Sequence, residues 1–353
     1  MIKKIIVFLI LSFVISVNAF SQGPNSGKEF WVAFGKNDIH TTIDSTNLGG
    51  GSYKFNVEII LRITTLAATQ VKLHFNADTT LNTTLSVPAG TIRDYKLNLK
   101  QTRAVYTYNH YNSNPLYTSM RSIRVTASQP ISLVALNSAY QSVEATHVSP
   151  VQNYGKEYVH VGYNAYGGHS NGFLIVATED NTTVDFTKSY TTPSVTLKKG
   201  EVYYYNDVLQ QPIGMHISAS KPISFFQHNS KGNVGVSPNN DTYRDNLMFE
   251  QIPPVEQWGT RFIMFTNELN AGMVRVYATD YPTEIEIKTK TQAQPIKHTL
   301  TAGNTQFTSY RDIRIDYDPP NLFGKDTALY ITSNKPVSVA TYHLPPNNAD
   351  FMT

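Results

Sequence analysis

The chain of 353 residues is long enough to bury two or three adjacent cores, and its 22 Tyr and 17 Phe, with abundant Thr and Val, favour strands over helices. It contains no Cys, which excludes disulfides, zinc-thiolate centres and thiol catalysis together. The formal charge of +3 comes without a basic stripe or a charge run, so the electrostatic footprint of a nucleic-acid binder is missing and nucleic acid is excluded as a partner.

In chain order, residues 1–21 read as a secretory signal peptide. Lys3 and Lys4 form its charged start, residues 5–17 an apolar stretch too short to span a bilayer comfortably, and Ala19-Phe20-Ser21 supplies small residues before Gln22. Cleavage after Ser21 makes the protein secreted or exposed on the outer cell surface, with no transmembrane segment left. No Cys follows the apolar stretch to anchor a lipid.

The mature chain then repeats one pattern. A first unit, residues 22–153, opens on Gly27-Lys28-Glu29-Phe30-Trp31 and reaches a closing strand at Ser128-Gln129-Pro130-Ile131. Between them lies a Tyr-rich insertion, residues 106–117, that the later units lack. A second unit, 154–258, opens on Gly155-Lys156-Glu157-Tyr158-Val159 and closes on Ser220-Lys221-Pro222-Ile223; a third, 259–353, opens on Gly259-Thr260-Arg261-Phe262-Ile263 and closes on Ser333-Asn334-Lys335-Pro336-Val337. A period of about a hundred residues is too long for a solenoid repeat and points to small domains leaning on one another.

Within the second unit, residues 158–163, 173–178, 182–186, 194–198, 201–206, 215–219 and 223–228 are strand-like alternations punctuated by Glu179-Asp180-Asn181 and Lys199-Gly200. Pro222 stands at the start of its strand, where a missing amide hydrogen costs least. Seven short antiparallel strands per unit predict an all-β protein of tandem antiparallel β-sandwich-like repeats. The alternative is a β-propeller of about six blades, two to a unit. After each closer an acidic residue leads an apolar stretch, at Glu144, Asp245 and Asp350, and the second such stretch runs on through Pro253-Pro254-Val255-Glu256-Gln257-Trp258 into the next lead. The chain stops where another link would begin, which reads as the front of a longer protein or a shortened piece of one.

Three chemistries are weighed and set aside. Gly168-His169-Ser170-Asn171-Gly172 fits the nucleophile elbow of α/β-hydrolases, but the Phe173-Leu174-Ile175-Val176 run that follows is strand-like and no strand–helix alternation surrounds it. His160, His169, His216 and His228 have no metal-ligand spacing. The turn at 178–182 and the loop at 239–245 carry carboxylates that could meet calcium, yet those residue types are also what turns require. No catalytic, cofactor or metal site is assigned, and the chain reads as non-enzymatic.

The run Phe173-Leu174-Ile175-Val176-Ala177-Thr178-Glu179-Asp180-Asn181-Thr182-Thr183-Val184, with Ser220-Lys221-Pro222-Ile223, the 250–260 link and Ser333-Asn334-Lys335-Pro336-Val337, resembles the N-terminal domain of the IgGFc-binding protein family over nearly the whole mature chain. That resemblance implies a secreted or cell-surface adhesion module whose ligand is a protein or glycoprotein, immunoglobulin Fc or mucin. The leader is similar to those of exported Bacteroidetes proteins. Animal members carry Cys in the loop that corresponds to residues 230–244, and this chain does not, so the loop's shape cannot be carried over. The remaining alternatives are a carbohydrate-binding module and a structural spacer of a larger surface protein.

Ligand contacts are expected on the two loops that break the repeat. In the insertion these are Tyr106, Tyr108, His110, Tyr111 and Tyr117, whose flat apolar faces with hydrogen-bonding edges suit protein or sugar. In the second loop they are Asp241, Tyr243 and Arg244. The competing reading puts half of the tyrosines in the core.

Overall fold

A computed structural model describes residues 25–37, 57–106, 116–139, 142–163, 171–187, 194–207, 212–233, 245–265, 272–289, 294–301, 309–314, 328–343 and 351–352. The first unit contains β1 (Gly27–Ala33), β2 (Glu58–Thr65), β3 (Thr69–Phe75), β4 (Thr83–Val87), β5 (Thr91–Lys96), a short helix α1 (Leu99–Val105), β6 (Leu116–Ser119), β7 (Ser122–Ala139) and β8 (Ser142–Val148). The second contains β9 (Glu157–Val159), β10 (Asn171–Ala177), β11 (Thr182–Thr187), β12 (Val195–Leu197), β13 (Val202–Asp207), β14 (His216–Ala219), β15 (Ile223–Asn233) and β16 (Asp245–Gln251). The third contains β17 (Gly259–Phe265), β18 (Gly272–Ala278), β19 (Thr283–Lys288), β20 (Ile296–Leu300), β21 (Ser309–Arg314), β22 (Ala328–His343) and β23 (Phe351–Met352).

The strand order is the same in all three. In the second unit one sheet runs β12-β11-β14-β9 and the other β16-β15-β10-β13, with β6 added at the far edge. The first unit repeats this as β4-β3-β7-β1 and β8-β7-β2-β5, and the third as β20-β19-β22-β17 and β23-β22-β18-β21. In the outer units one long strand serves both sheets. The first part of β7 pairs with β1 and β3, the later part with β2 and β8. The second unit divides the same strand into β14 and β15. The protein is thus all-β, a row of antiparallel sandwiches, and the strands pair as two sheets per unit and not as propeller blades.

The Ser-x-Pro closer is the corner where that strand changes sheets. Proline removes a ladder donor there, and the side chain two residues before it serves the neighbouring strand. Ser128 Oγ accepts from Gln70 N at 3.0 Å, Ser220 Oγ from Thr183 N at 2.9 Å, and Asn334 Oδ1 from Glu284 N at 2.8 Å. The middle residue reaches the Asp of the opposite turn: Lys221 Nζ donates to the Asp180 carbonyl at 2.5 Å, and Lys335 Nζ to the Asp280 carboxylate at 2.8 Å.

The second sheet of each later unit is buried on both faces. Along β10, Phe173, Ile175 and Ala177 point into the second unit's core, while Leu174 and Val176 join the core of the first. Val202 and Tyr204 on β13, Phe226 on β15, and Leu247 and Phe249 on β16 do the same as Leu174. The third unit repeats the arrangement, with Val274 and Val276 in its own core and Tyr277 in that of the second.

The face so presented covers the free edge of the preceding lead strand. Tyr154 Oη, from the linker, accepts from Trp31 N at 3.0 Å, and Ser224 Oγ donates to Trp31 O at 3.1 Å. One unit later, Tyr277 Oη donates to Val161 O at 2.7 Å, Tyr342 Oη donates to the same carbonyl, and Arg275 Nη1 donates to Gly162 O at 2.7 Å. An uncovered strand edge is a template for stray pairing, and here it is closed by hydroxyl and guanidinium groups.

Candidate functional site

The five strands β16-β15-β10-β13-β6 all pair antiparallel. Consequently Asn171 at the start of β10, Asp207 at the end of β13, Asn233 at the end of β15, Asp245 at the start of β16 and Leu116 at the start of β6 lie at one end of the sheet. Leu116 follows segment 107–115, Asn171 follows 164–170, Asp207 precedes 208–211, and Asn233 and Asp245 flank 234–244. The end of the Tyr-rich insertion and both ends of the second loop, more than a hundred residues apart in sequence, are therefore attached at one end of one sheet. Four strand spacings separate β6 from β16, roughly 19 Å, a span suited to a protein or glycan ligand.

The strand that brings the insertion there was not anticipated. Leu116, Tyr117, Thr118 and Ser119 form β6 and pair in register with Tyr205, Tyr204, Tyr203 and Val202 of β13, so a piece of the first unit extends the second unit's sheet. The one sequence signal for it is the strand-favouring Tyr117-Thr118 pair after Pro115.

The base of this end is polar and closed. His160 Nε2 donates to Gly172 O at 3.0 Å, and its Nδ1 accepts from Gly162 N at 3.4 Å, so both ring nitrogens are engaged. Burial, with help from the Arg275 charge, pushes His160 down to about 3 and holds it neutral. Asn229 Nδ2 donates to Tyr163 O at 3.1 Å, and the Tyr204 and His228 rings meet edge to face at 5.7 Å. Gly35 sits so close to His228 that a Cβ would lie 2.6 Å from its ring.

Of the expected contacts, Tyr106 is corrected. It caps the C-terminus of α1, is fully buried, and its Oη accepts from the Asn37 amide at 2.5 Å. Its ring fills the first core and is unavailable to a ligand. The helix that positions it is closed at its start by the Asn98–Gln101 capping box. Tyr117 is placed on β6 opposite Tyr204. Tyr108, His110, Tyr111, Asp241, Tyr243 and Arg244 lie outside the described residues, as does Ser170. The turn after β10 is not a hairpin but the crossing from one sheet to the other, since β10 and β11 do not pair; its Asp180 Oδ1 accepts from Lys199 N at 2.9 Å, with Asn181 at φ 56°. Among the described residues no group of three His, Asp or Glu is placed to hold a metal ion.

The chain is thus an all-β protein of stacked antiparallel sandwiches, with ends of β6, β10, β13, β15 and β16 gathered over a neutral, hydrogen-bonded base. A family model described as IgGFc binding protein matches residues 144–350, from β8 through the third unit. The chain belongs to the IgGFc-binding protein family. No curated protein and no solved structure matches it. Among the described residues no helix is long and apolar enough to cross a membrane.

Proposed function

We propose that this protein is an extracellular, non-enzymatic binding module that presents the loop end of its five-stranded sheet to a protein or glycoprotein ligand, with immunoglobulin Fc and mucin as the candidates. The observation that carries the proposal is that β6, which follows segment 107–115, and β15 and β16, which flank segment 234–244, meet in one sheet whose other four strands lie within the family-matched span. Tyr, Asn and Ser in such loops give large contact area at low conformational cost. The leader sequence supports export.

The test is biolayer interferometry of the chain from Gln22 against immobilised Fc, Fab and purified mucin. Saturable binding to Fc and not Fab supports the Fc reading, and binding to mucin alone supports the glycoprotein reading. In either case a folded Tyr108→Ala/Tyr111→Ala double variant should lose most of the signal, because truncating aromatic anchors at a binding centre costs about 2 kcal/mol or more each. Unchanged binding by that variant would remove the insertion from the site. Silence on all three surfaces would leave the Fc and mucin assignments without support.

A further inference from the structure

The lead glycines explain themselves in two units and not in the third. A Cβ on Gly27 would lie 2.3 Å from the Pro150 Cβ, and one on Gly155 would lie 2.4 Å from the Pro254 Cβ. Each proline begins the linker that follows, Pro150 to Tyr154 and Pro254 to Trp258, so the glycine makes room for the next unit's approach. Gly259 holds the same place in β17, opposite Val337 as Gly27 is opposite Ile131, with the same bulge after it. Yet among the described residues a Cβ there would meet nothing closer than the Phe262 ring at 3.4 Å, and Gly259 does not have a positive φ. Neither backbone conformation nor packing within the described chain calls for glycine at 259.

Among the described residues, the outward positions of that strand are bare in the same way, while Phe262 and Met264 face the third core. Trp31 and Ala33 on β1 are 1% and 0% exposed, and Val159 and Val161 at the second lead are 0% and 1% exposed. Their counterparts on β17, Ile263 and Phe265, are 65% and 73% exposed. Large apolar side chains on a free strand edge invite a covering partner. The two junctions already formed specify that partner: a linker proline against the lead glycine, a linker aromatic, and a sheet face carrying hydroxyls for the edge carbonyls.

We propose that the β17 edge, centred on Gly259, Ile263 and Phe265, is a docking surface for a further unit of this family carrying its own Pro-x3-aromatic-Gly linker. A second copy of this chain fits poorly. Its free second-sheet face is that of the first unit, where Ser26 stands before Gly27 in place of Tyr154 or Trp258, and Gln22 in place of the proline. Thr64 and Leu136 stand there at the places of Tyr277 and Tyr342, so that face lacks the third unit's tyrosine hydroxyls; it keeps Ser132 at the place of Ser224, and what it lacks for the first junction's mode is the linker proline and aromatic.

The chain contains a suitable probe. Phe351 pairs with His343 as Met248 pairs with Asn229, so residues 251–353 appended after Thr353 continue the register. A Phe265→Cys variant carries the sole thiol, because the natural chain has no Cys. Its reaction rate with a thiol reagent is compared in the full chain and in the full chain with residues 251–353 appended. The expected result is a fall of about tenfold or more on extension, reflecting burial behind a local-opening step, and its reversal by Gly259→Val in the parent copy. Gly259→Val in the unextended chain should leave the Tm unchanged. An unchanged thiol reaction rate in an extended protein whose appended strands are protected in amide exchange would overturn the proposal. Concentration-dependent association of the unextended chain that Phe265→Asp abolishes would make a second copy the occupant and overturn it as well. Neither variant touches the loop end, so the Fc and mucin measurements should be unaffected and the two readings fail separately.

Discussion

Ser128, Ser220 and Asn334 accept the same hydrogen bond in three units, from the second residue of β3, β11 and β19. Each satisfies an amide that would otherwise lack a protein partner where the long strand leaves its first sheet. Ser220→Ala should therefore destabilise by about 1 kcal/mol, and Ser220→Asn, copying Asn334, should restore most of it, both read from urea denaturation. The three-fold recurrence was plain in the sequence, whereas its chemistry was not: the partner amide lies 37 residues away from Ser220 and 50 from Asn334. Tyr106 illustrates the opposite limit. Nothing in an aromatic-rich insertion distinguishes its first tyrosine as a core residue, because burial there depends on Asn37, 69 residues earlier. His160 yields a pH prediction with a definite sign. Held neutral down to about 3 in the fold against an ordinary value of 6.5, it lets the unfolded chain bind the extra proton, so stability falls as pH drops below 6.5 toward 3. Between pH 7.5 and pH 5 the native chain should lose about 2 kcal/mol more than His160→Gln, measured by denaturation at both pH values.

At the scale of elements, β10 answers why Phe173-Leu174-Ile175-Val176-Ala177 lacks the alternation of a half-exposed strand: successive residues enter different cores, and every position is buried. A continuous apolar run is legible as a strand, but which core each residue serves is set by the neighbouring unit. The seven strands expected in the second unit are all present, with the first ending at Val159 because Gly162, His160 and Asn171 form a tight corner there, and β15 running on to Asn233. β6 escaped notice for a related reason, since its pairing partner belongs to another unit and the insertion has no counterpart for comparison. The linker and lead strand form a single packing element, which gives Gly155 its importance. Gly155→Val would drive a side chain into Pro254 and the Glu256 carboxylate, and should cost about 1–3 kcal/mol by overpacking, read as a lower Tm. A wild-type Tm in a folded variant would mean the linker moves away at little cost.

For the whole molecule, shared sheets make the row cooperative. The second sheet of each later unit closes the core before it, so unfolding one unit exposes its neighbour's apolar face, as in arrays whose stability is a sum of unit and nearest-neighbour terms. The junction between the second and third units concentrates on Arg275, which is buried, donates to Gly162 O at 2.7 Å, and lies 5.3 Å from the Tyr163 ring and 5.8 Å from that of Tyr342. Arg275→Ala leaves that carbonyl without this donor and removes the cation packed against two aromatic rings that themselves meet at 5.1 Å, a loss of about 2–4 kcal/mol at the interface. The third core, built from Val274, Val276, Ile285, Ile287 and Ile331 on the other side of the sheet, is untouched. The native chain should then melt in one calorimetric transition and Arg275→Ala in two, with hydrogen exchange rising first along β17 to β22 while β10 and β15 stay protected. A single, uniformly shifted transition in Arg275→Ala would place the cooperativity in the linker and not in the sheet face, and Gly155→Val would then be the substitution that divides the melt.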